Sequence, residues 1–319
     1  MRVRNVIAIA LCLMLFAAMA LGSGSDSGSS SGDEREIVSA SDAGSDEDRQ
    51  SNSDVLEDNE TADEEQVEES VAPVTIEEQV LVDQDGILIK ATEYVVDDIW
   101  GDGIKLYIEN NSDKTVTISC VALIVNNFMI TDLFVSEVSP GNRANEVMNL
   151  SNSQLEAAGI ESVGQVEIYF HVYDSTTYDT VFDSECITIQ TSEYANMDTT
   201  PDDGGVELYN EGGIRIVGKT VDEDSFWGSA ILLYCENNSG SNVGITVEEM
   251  SINGYMMTAY FSSTVYDGKM SMDTITILSS ELEENGIETI EEVELRFHIY
   301  DADSYSTITD SDYITFSAE

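Results

Sequence analysis

The chain has little proline, histidine, cysteine or positive charge. Its 319 residues include 3 Pro, 2 His, 4 Cys and 12 Lys+Arg against 63 Asp+Glu, which gives a formal net charge of −51. This shortage of cations excludes nucleic-acid binding, because proteins hold phosphates by neutralising them with Lys and Arg. It also excludes docking on an anionic membrane through a basic patch. Few His and Cys leave little material for zinc sites or for His- and Cys-based catalysis.

The first 20 residues have the pattern of an export signal. Arg2 and Arg4 precede an uncharged apolar run over 6–20, and Ala18-Met19-Ala20 supplies small residues for cleavage. We therefore predict a signal peptide over 1–20 and a protein that is secreted or held on the extracytoplasmic face of the cell envelope. The alternative is an uncleaved anchor, which would be the protein's membrane contact, although the run is at the short edge for a spanning helix.

The layout is also that of bacterial lipoproteins, but the lipid-bearing cysteine is missing from its usual place. Leu21 follows the apolar run, and Cys12 lies inside it. This departure argues against lipid attachment.

A polar, acidic segment follows the signal. Residues 22–78 carry 19 acidic residues and two basic ones, Arg35 and Arg49, with almost no aromatics. Such a segment buries too little apolar surface to offset its ordering entropy, and like charges extend it. We predict a disordered Ser/Gly-rich spacer over 21–78 that acts as a tether. A tail for calcium or a cationic partner is the alternative.

The rest of the chain is one pattern written twice. A shift of 127 positions aligns residues 86–190 with 213–317 without a gap, and 40 of the 105 pairs are identical. This match indicates a tandem duplication whose period is far above that of solenoid repeats. The polar stretch between the copies holds Pro201 and Gly204 and predicts a linker over 192–205. The expected domains are residues 79–191 and 206–319.

Each copy has the alternation of short β-strands. Residues 104–108 and 116–120 alternate apolar and polar side chains around a turn cluster, and 166–172 and 293–299 repeat one strand pattern. Ser153-x-x-Glu156 and Ser280-x-x-Glu283 fit capping boxes, and Gly159 and Gly286 fit helix C-caps. We predict an all-β fold of two tandem immunoglobulin-like β-sandwich domains, each with one short helix.

The repeated motifs also resemble a known kind of domain. They are Asp-Gly-Ile-x-Ile, a Trp-Gly turn, Leu-Tyr-x-Glu-Asn-Asn-Ser, Ser-x-Leu-x-x-x-Gly-Ile and Phe-His-x-Tyr-Asp. This set is similar to telokin-like, immunoglobulin-like domains of unknown function from secreted proteins and lipoproteins of Gram-positive gut anaerobes. The resemblance covers 80–190 and 206–318. It implies an extracytoplasmic, non-catalytic module, often in tandem.

Aromatic residues form the candidate ligand site. Trp100 and Trp227 occupy equivalent loop positions, and with Tyr94 and Phe226 they could form a platform for a sugar or a peptide. The structural interpretation, which we favour, is that each Trp covers the open end of a sandwich core.

His171 and His298 are equivalent positions in the two copies. Each is expected on the outer face of its strand, beside tyrosines. A titrating surface site is the functional interpretation, and cross-strand packing on a Tyr-rich face is the one we favour. Without a Ser or Cys nucleophile in a recognisable motif, they predict no catalytic triad.

Carboxylates are too frequent for one pair to indicate a reaction, and we predict no catalytic residue, metal site or cofactor. Calcium is the alternative for two equivalent acidic groups, although neither matches an Asp-x-Asp-x-Asp-Gly loop. These groups are Asp174, Asp179 and Asp183 in the first copy, and Asp301, Asp303 and Asp310 in the second.

Cys120, Cys186 and Cys235 each replace an apolar or aromatic residue of the other copy, which favours thiols that act as small hydrophobes. A Cys120–Cys186 disulfide stays open. The paired Asn-Asn-Ser turns satisfy the glycosylation rule but need no such role.

The function expected from the sequence is a non-enzymatic binding or spacer module outside the cell, with an unidentified protein or glycan as partner. Duplication favours binding, because two linked copies gain avidity without new contacts. A structural envelope component or a secreted inhibitor-like protein is the alternative.

Overall fold

The structure is a computed structural model that describes residues 73–96, 101–131, 133–225 and 228–317, without the side chains of 222–225 and 228. The predicted signal, most of the predicted spacer, Trp100, Phe226 and Trp227 lie outside the described residues. Residues 72–319 form one compact unit. The expected limits of the two domains stay predictions.

The first copy is built from ten strands and one short helix. They are β1 Gln79–Gln84, β2 Ile87–Val95, β3 Gly103–Asn110, β4 Val116–Val125, β5 Phe128–Ile130, β6 Val135–Val138, β7 Arg143–Asn149, α1 Asn152–Ala157, β8 Gln165–Asp174, β9 Thr180–Asp183 and β10 Ile187–Gln190. A 3-10 turn over Tyr194–Asn196 follows.

The second copy repeats this order. Its elements are β11 Val206–Glu211, β12 Ile214–Ser225, β13 Gly228–Asn237, β14 Val243–Ile252, β15 Tyr255–Met257, β16 Ser262–Val265, β17 Lys269–Leu278, α2 Ser279–Glu284, β18 Glu292–Asp301, β19 Thr307–Asp310 and β20 Ile314–Ser317. The predicted fold class, all-β sandwiches of immunoglobulin-like type with one short helix in each copy, is confirmed. Within the described ranges, neither helix has the length and apolar character that a bilayer-spanning segment needs.

Three sheets contain these strands. A four-stranded sheet has the order β1-β2-β3-β7, and a six-stranded sheet has the order β15-β14-β18-β19 with β16 and β20 attached. The third sheet has ten strands in the order β10-β8-β4-β5-β17-β13-β12-β11, with β6 and β9 attached. This third sheet therefore runs from the first copy into the second.

Each sandwich buries the residues that alternate inward along its strands. The first core includes Ile89, Leu106 and Phe170, and the second includes Ile216, Leu233 and Phe297. Period-2 alternation places these side chains on one face of each strand. The predicted strand pattern of 166–172 and 293–299 is thus the inner face of β8 and β18.

The helices differ from the sequence prediction at their starts. Ser153 was expected to cap the first helix, but it lies inside α1, where Ser151 is the N-cap without a side-chain cap bond. Leu278 is the N-cap of α2. In both copies the helix begins earlier than the motif implies, so Gln154 and Glu281 take the third helical position in place of the expected Glu156 and Glu283. The side chains of Gln154 and Glu281 instead accept the N–H groups of Thr131 and Thr258.

The helix ends agree with the prediction. Gly159 and Gly286 both adopt φ of 68°, the left-handed conformation that glycine adopts without a steric penalty. The N–H of Ile160 bonds the carbonyl of Leu155, and Ile287 repeats this bond to Leu282. This is the Schellman arrangement in both copies.

The Asn-Asn-Ser turns are structural. Asn110 is fully buried, and its Nδ2 donates to the carbonyl oxygens of Lys114 and Val138 at 2.8 and 2.7 Å. Its Oδ1 accepts from Ser112, and Asn237 makes the equivalent bonds in the second copy. A buried, fully bonded amide is closed to a glycosyl group.

The junction between the copies joins an edge strand to an edge strand. β5 pairs in parallel with β17, with Phe128 opposite Met270 and Met129 opposite Ser271. Lys269 Nζ lies 2.7 Å from Glu167 Oε1, and both side chains are largely buried. The ring of Tyr266 meets that of Tyr169 edge-on at 5.2 Å.

Apolar residues of the second copy complete this junction. Val217, Tyr234, Met270 and Met272 belong to the buried cluster of the first copy. They lie on the face of β12, β13 and β17 that points away from their own core. The second copy thus has two apolar faces on one sheet, one for each sandwich.

The equivalent face of the first copy is polar. The positions that match Val217, Leu232, Met270 and Met272 hold Lys90, Lys105, Arg143 and Asn145. Each of the three cations pairs with a neighbouring carboxylate, namely Glu78, Glu93 and Glu109. A polar outer face on a terminal repeat keeps that end soluble.

Exchanging equivalent residues tests this junction. Val217 is 1% exposed, so Val217→Lys buries an unpaired charge and is expected to cost about 2–4 kcal/mol of unfolding free energy. The reverse exchange, Lys90→Val, should change stability by less than about 0.5 kcal/mol. Urea denaturation of the full chain measures both. Equal effects of the two exchanges would contradict the assignment of the junction.

Candidate functional site

The β8–β9 hairpin and its copy, β18–β19, carry the same ring arrangement on the outer face of each sandwich. His171 stacks near Tyr173 with ring centroids 5.4 Å apart, and Tyr173 stacks on Tyr178 at 6.1 Å. In the second copy His298, Tyr300 and Tyr305 repeat this at 5.7 and 6.0 Å. We call each set of three rings an aromatic stack.

Carboxylates orient the imidazole at one end of each stack. His171 Nδ1 lies 2.5 Å from Asp183 Oδ1, and His298 Nδ1 lies 2.6 Å from Asp310 Oδ1. The cross-strand register of β8 with β9 puts His171 opposite Asp183. The His–Asp pairs therefore fix ring orientation on the sheet surface.

The hairpin loops hold the outermost tyrosine in an unusual backbone conformation. Tyr178 has φ of 60° and Tyr305 has φ of 57°, in the left-handed region that costs a residue with a Cβ roughly 1–2 kcal/mol. The N–H of each tyrosine bonds the carbonyl of the loop's first aspartate, at 2.8 Å in both copies. Glycine or asparagine would fit this position without strain. Retained strain of this kind is typical of functional positions.

The first aspartate of each loop stabilises the turn. Asp174 Oδ1 accepts the N–H groups of Thr176 and Thr177, at 2.9 and 3.2 Å. These two bonds, together with Lys114 nearby, lower the pKa of Asp174. Asp301 accepts the hydroxyl and N–H of Ser304, and these bonds lower its pKa likewise.

These turn and His contacts account for Asp174, Asp183, Asp301 and Asp310 without calcium. Among the described residues no group of three or more His, Cys, Asp or Glu could hold a metal ion.

The outer tyrosines are exposed and the inner ones are half-buried. Tyr178 is 61% and Tyr305 is 51% exposed. Tyr300 lies flat across β14 because its strand partner is Gly244, where a Cβ would come within 2.2 Å of the ring. In the first copy Thr117 takes the place of this glycine and bonds Ser175 at 2.8 Å. Each copy therefore presents one open ring face backed by a second ring.

The residues first expected to form a platform lie elsewhere or outside the described chain. Tyr94 is part of the first core, where its hydroxyl donates to the Asp102 carboxylate. Burial, the bond to Asp102 and the charge of Asp102 raise its pKa. Its ring is therefore unavailable to a ligand. The roles of Trp100, Trp227 and Phe226 stay predictions.

The sequence placed the histidines on the outer sheet face, but it singled out neither Tyr178 nor Tyr305. Both lie in a turn and are identical between copies that share 40 of 105 residues. A tyrosine kept twice at a turn position that favours glycine was the available signal.

No disulfide joins the three cysteines within the described residues. Cys235 is fully buried, and burial raises the pKa of its thiol. Cys120 is half-buried and Cys186 is exposed, with Cys186 Sγ 3.7 Å from Glu167 Oε2. The interpretation as small buried hydrophobes therefore suits Cys235 best, and the open Cys120–Cys186 disulfide is not formed.

Comparisons with known proteins give no family. No protein-family model and no curated protein match the chain. Among solved structures it is similar to the Salmonella enterica SafA pilin in complex with the SafB chaperone, at 10% identity and TM-score 0.23, over 74% of this chain and 98% of that one.

It is also similar to the YadV chaperone, at 11% identity and TM-score 0.23, over 73% of this chain and 99% of that one. A Porphyromonas gingivalis W83 protein of unknown function matches at 7% identity and TM-score 0.20, over 71% and 94%. Likenesses this low carry no functional argument, and the fold rests on the strands described above.

The backbone strain at the stacks makes a stability prediction. Tyr305→Gly relieves the left-handed strain but loses ring stacking worth about 0.5–1.5 kcal/mol, so the unfolding free energy should change by no more than about 1 kcal/mol. Tyr305→Ala loses the stacking and keeps the strain, so it should be less stable than Tyr305→Gly by about 1 kcal/mol.

Tyr255, which has ordinary strand geometry, is the control. There the order should reverse, with Ala more stable than Gly. Chemical denaturation measures the unfolding free energies of the four variants. If the Ala variant at position 305 were more stable than the Gly variant, the backbone of Tyr305 would not be strained.

Proposed function

We propose that the protein is a non-enzymatic binding module that acts outside the cell, with the two aromatic stacks as its ligand sites. The observation that carries this proposal is the repetition of the stack in both copies, with Tyr178 and Tyr305 held exposed at a backbone cost. A strained turn residue that adds no bond to the core is explained by a contact with a ligand.

The ligand chemistry follows from the rings and the charge. A tyrosine ring face takes a flat apolar surface, while its hydroxyl keeps a polar edge for hydrogen bonds. A sugar ring offers both kinds of surface. From Val80 onward the chain carries 44 acidic and 8 basic residues, a net charge of −36. This field disfavours polyanionic polymers, so the proposed ligand is a neutral or cationic extracellular glycan.

The location outside the cell is part of the proposal. It is supported by the basic start, the apolar run over 6–20 and the small residues before residue 21. The resemblance to telokin-like domains of secreted proteins and lipoproteins supports the same place. Two sites in one chain would gain avidity on a polymer that spans both.

Binding to a glycan array that includes peptidoglycan fragments tests this proposal. We expect neutral or amino-sugar ligands to bind the full chain, with a stoichiometry of two short ligands per molecule by titration calorimetry. Tyr178→Gly or Tyr305→Gly should each remove one site, and the double variant should remove both. On a polymeric ligand, loss of one site should weaken binding by about 10²-fold or more.

The control is Tyr255→Gly, which removes an exposed tyrosine that belongs to neither stack. It should leave both sites intact. Flat signals for every glycan would overturn the binding function in favour of a spacer. Binding that survives the double variant would overturn the choice of site.

A further inference from the structure

Each of the two strands that join the copies has an equivalent strand in the other copy, and in the described chain that equivalent strand has an unpaired outer edge. β5 of the first copy pairs in parallel with β17 of the second, and the N–H of Met270 bonds the carbonyl of Asn127 at 3.0 Å. The equivalent of β5 in the second copy is β15, and the equivalent of Met270–Thr276 in the first copy is β7. In the described part of the chain, β15 pairs with β14 alone and β7 pairs with β3 alone.

The free edge at β15 remains apolar. Tyr255 is 50% and Met256 is 68% exposed, whereas Phe128, the equivalent of Tyr255, is 2% exposed in the junction. Edge strands that face water are usually protected by lysine, proline, a bulge or a very short length. Tyr255-Met256-Met257 has no lysine, proline or bulge, and its three residues match the length of β5, which pairs with β17 in the junction. An exposed apolar edge of this kind is a template for another strand.

The residues around the β15 edge are charged, unlike their equivalents in the first copy. Where the first copy has the buried Ala122 and has Tyr169 against Tyr266, the second copy has Glu249 and Arg296. Glu294 matches Glu167, the residue that binds Lys269. The end of the second copy therefore keeps an apolar edge strand inside a mainly acidic rim.

The free end of the first copy carries three cations, each within an ion pair. Lys90, Lys105 and Arg143 lie on the outer face of β2, β3 and β7, and they are three of the eight cations from Val80 onward. In the junction this face position meets the β4–β8 side of the other copy. Each of these cations pairs with a carboxylate of its own copy, namely Glu78, Glu93 and Glu109. In the same docking geometry these ion pairs would lie against the acidic side of a neighbouring copy, where the cations can share their carboxylate partners.

We propose that the partner of the β15 edge is β7 of a second copy of this chain. In the register of the junction, Tyr255 of one molecule lies opposite Arg143 of the next, and Met256 lies opposite Ala144. The contact is head-to-tail and uses two different surfaces, so each added molecule leaves the same two ends free. Such a contact does not close on itself as a two-fold dimer does, and it builds open chains.

The missing ion pair gives a gain-of-function test. Lys269, which binds Glu167 in the junction, is matched by Asn142 at the free end. Asn142→Lys should place an ammonium group opposite Glu294 of the neighbouring molecule and tighten association by about 3–10-fold. Met256→Lys, the charge that natural edge strands use for protection, should weaken association at least about 10-fold.

The control is Leu133→Lys, at an exposed apolar residue that belongs to neither free edge. Sedimentation velocity of the full chain, from about 1 µM to about 1 mM at about 0.15 M salt, measures all four proteins, because that salt screens most long-range repulsion. We expect a mass that rises past the dimer with concentration, unchanged by Leu133→Lys. Circular dichroism checks that every variant is folded.

Three outcomes would overturn the proposal. They are a monomer at every concentration for both the parent and Asn142→Lys, a mass that stops at the dimer, and association that Met256→Lys leaves unchanged. None of them bears on glycan binding, which is measured with short ligands.

Discussion

The contact of β5 with β17 determines how the two copies are arranged. It continues the first copy's sheet into the second, and it brings Glu167 to Lys269 at 2.7 Å. It also sets the outer face of β12, β13 and β17 against the first core, so that Val217 and Tyr234 are buried outside their own sandwich. A linker alone would leave the copies free to move, whereas hydrogen bonds, an ion pair and a shared apolar cluster fix one arrangement.

The two copies are similar, and the differences between them follow from that arrangement. The face that is buried in the second copy carries ion pairs and polar groups in the first, and the face covered in the first is mainly acidic in the second. The aromatic stacks are instead kept in both copies, ring by ring, because they lie on hairpins beyond the junction. Residues that differ at the junction therefore reflect how the two copies are joined.

The sequence predicted the repeat, the strand alternation and the short helices because these depend on local periodicity. It did not predict the junction, because a pairing between β5 and β17 has no signature within either strand. The signal lay in the alignment of the two copies, where Lys90 is aligned with Val217 and Arg143 is aligned with Met270. The capping boxes were wrong because Ser153 fits the motif but lies after the helix start. Tyr94 was assigned to the ligand platform because it is aromatic, whereas in the structure it packs in the first core.

Calorimetric unfolding of the full chain tests most directly whether the junction makes the copies one unit. The account predicts a single transition with equal calorimetric and van't Hoff enthalpies. Lys269→Ala removes the cation beside Glu167, which keeps the hydrogen bond from Gln165. This variant should lower the unfolding free energy of the single transition by about 2 kcal/mol, less than the loss of a partner in a fully buried pair would cost. Two separate transitions, neither of them moved by Lys269→Ala, would contradict the account.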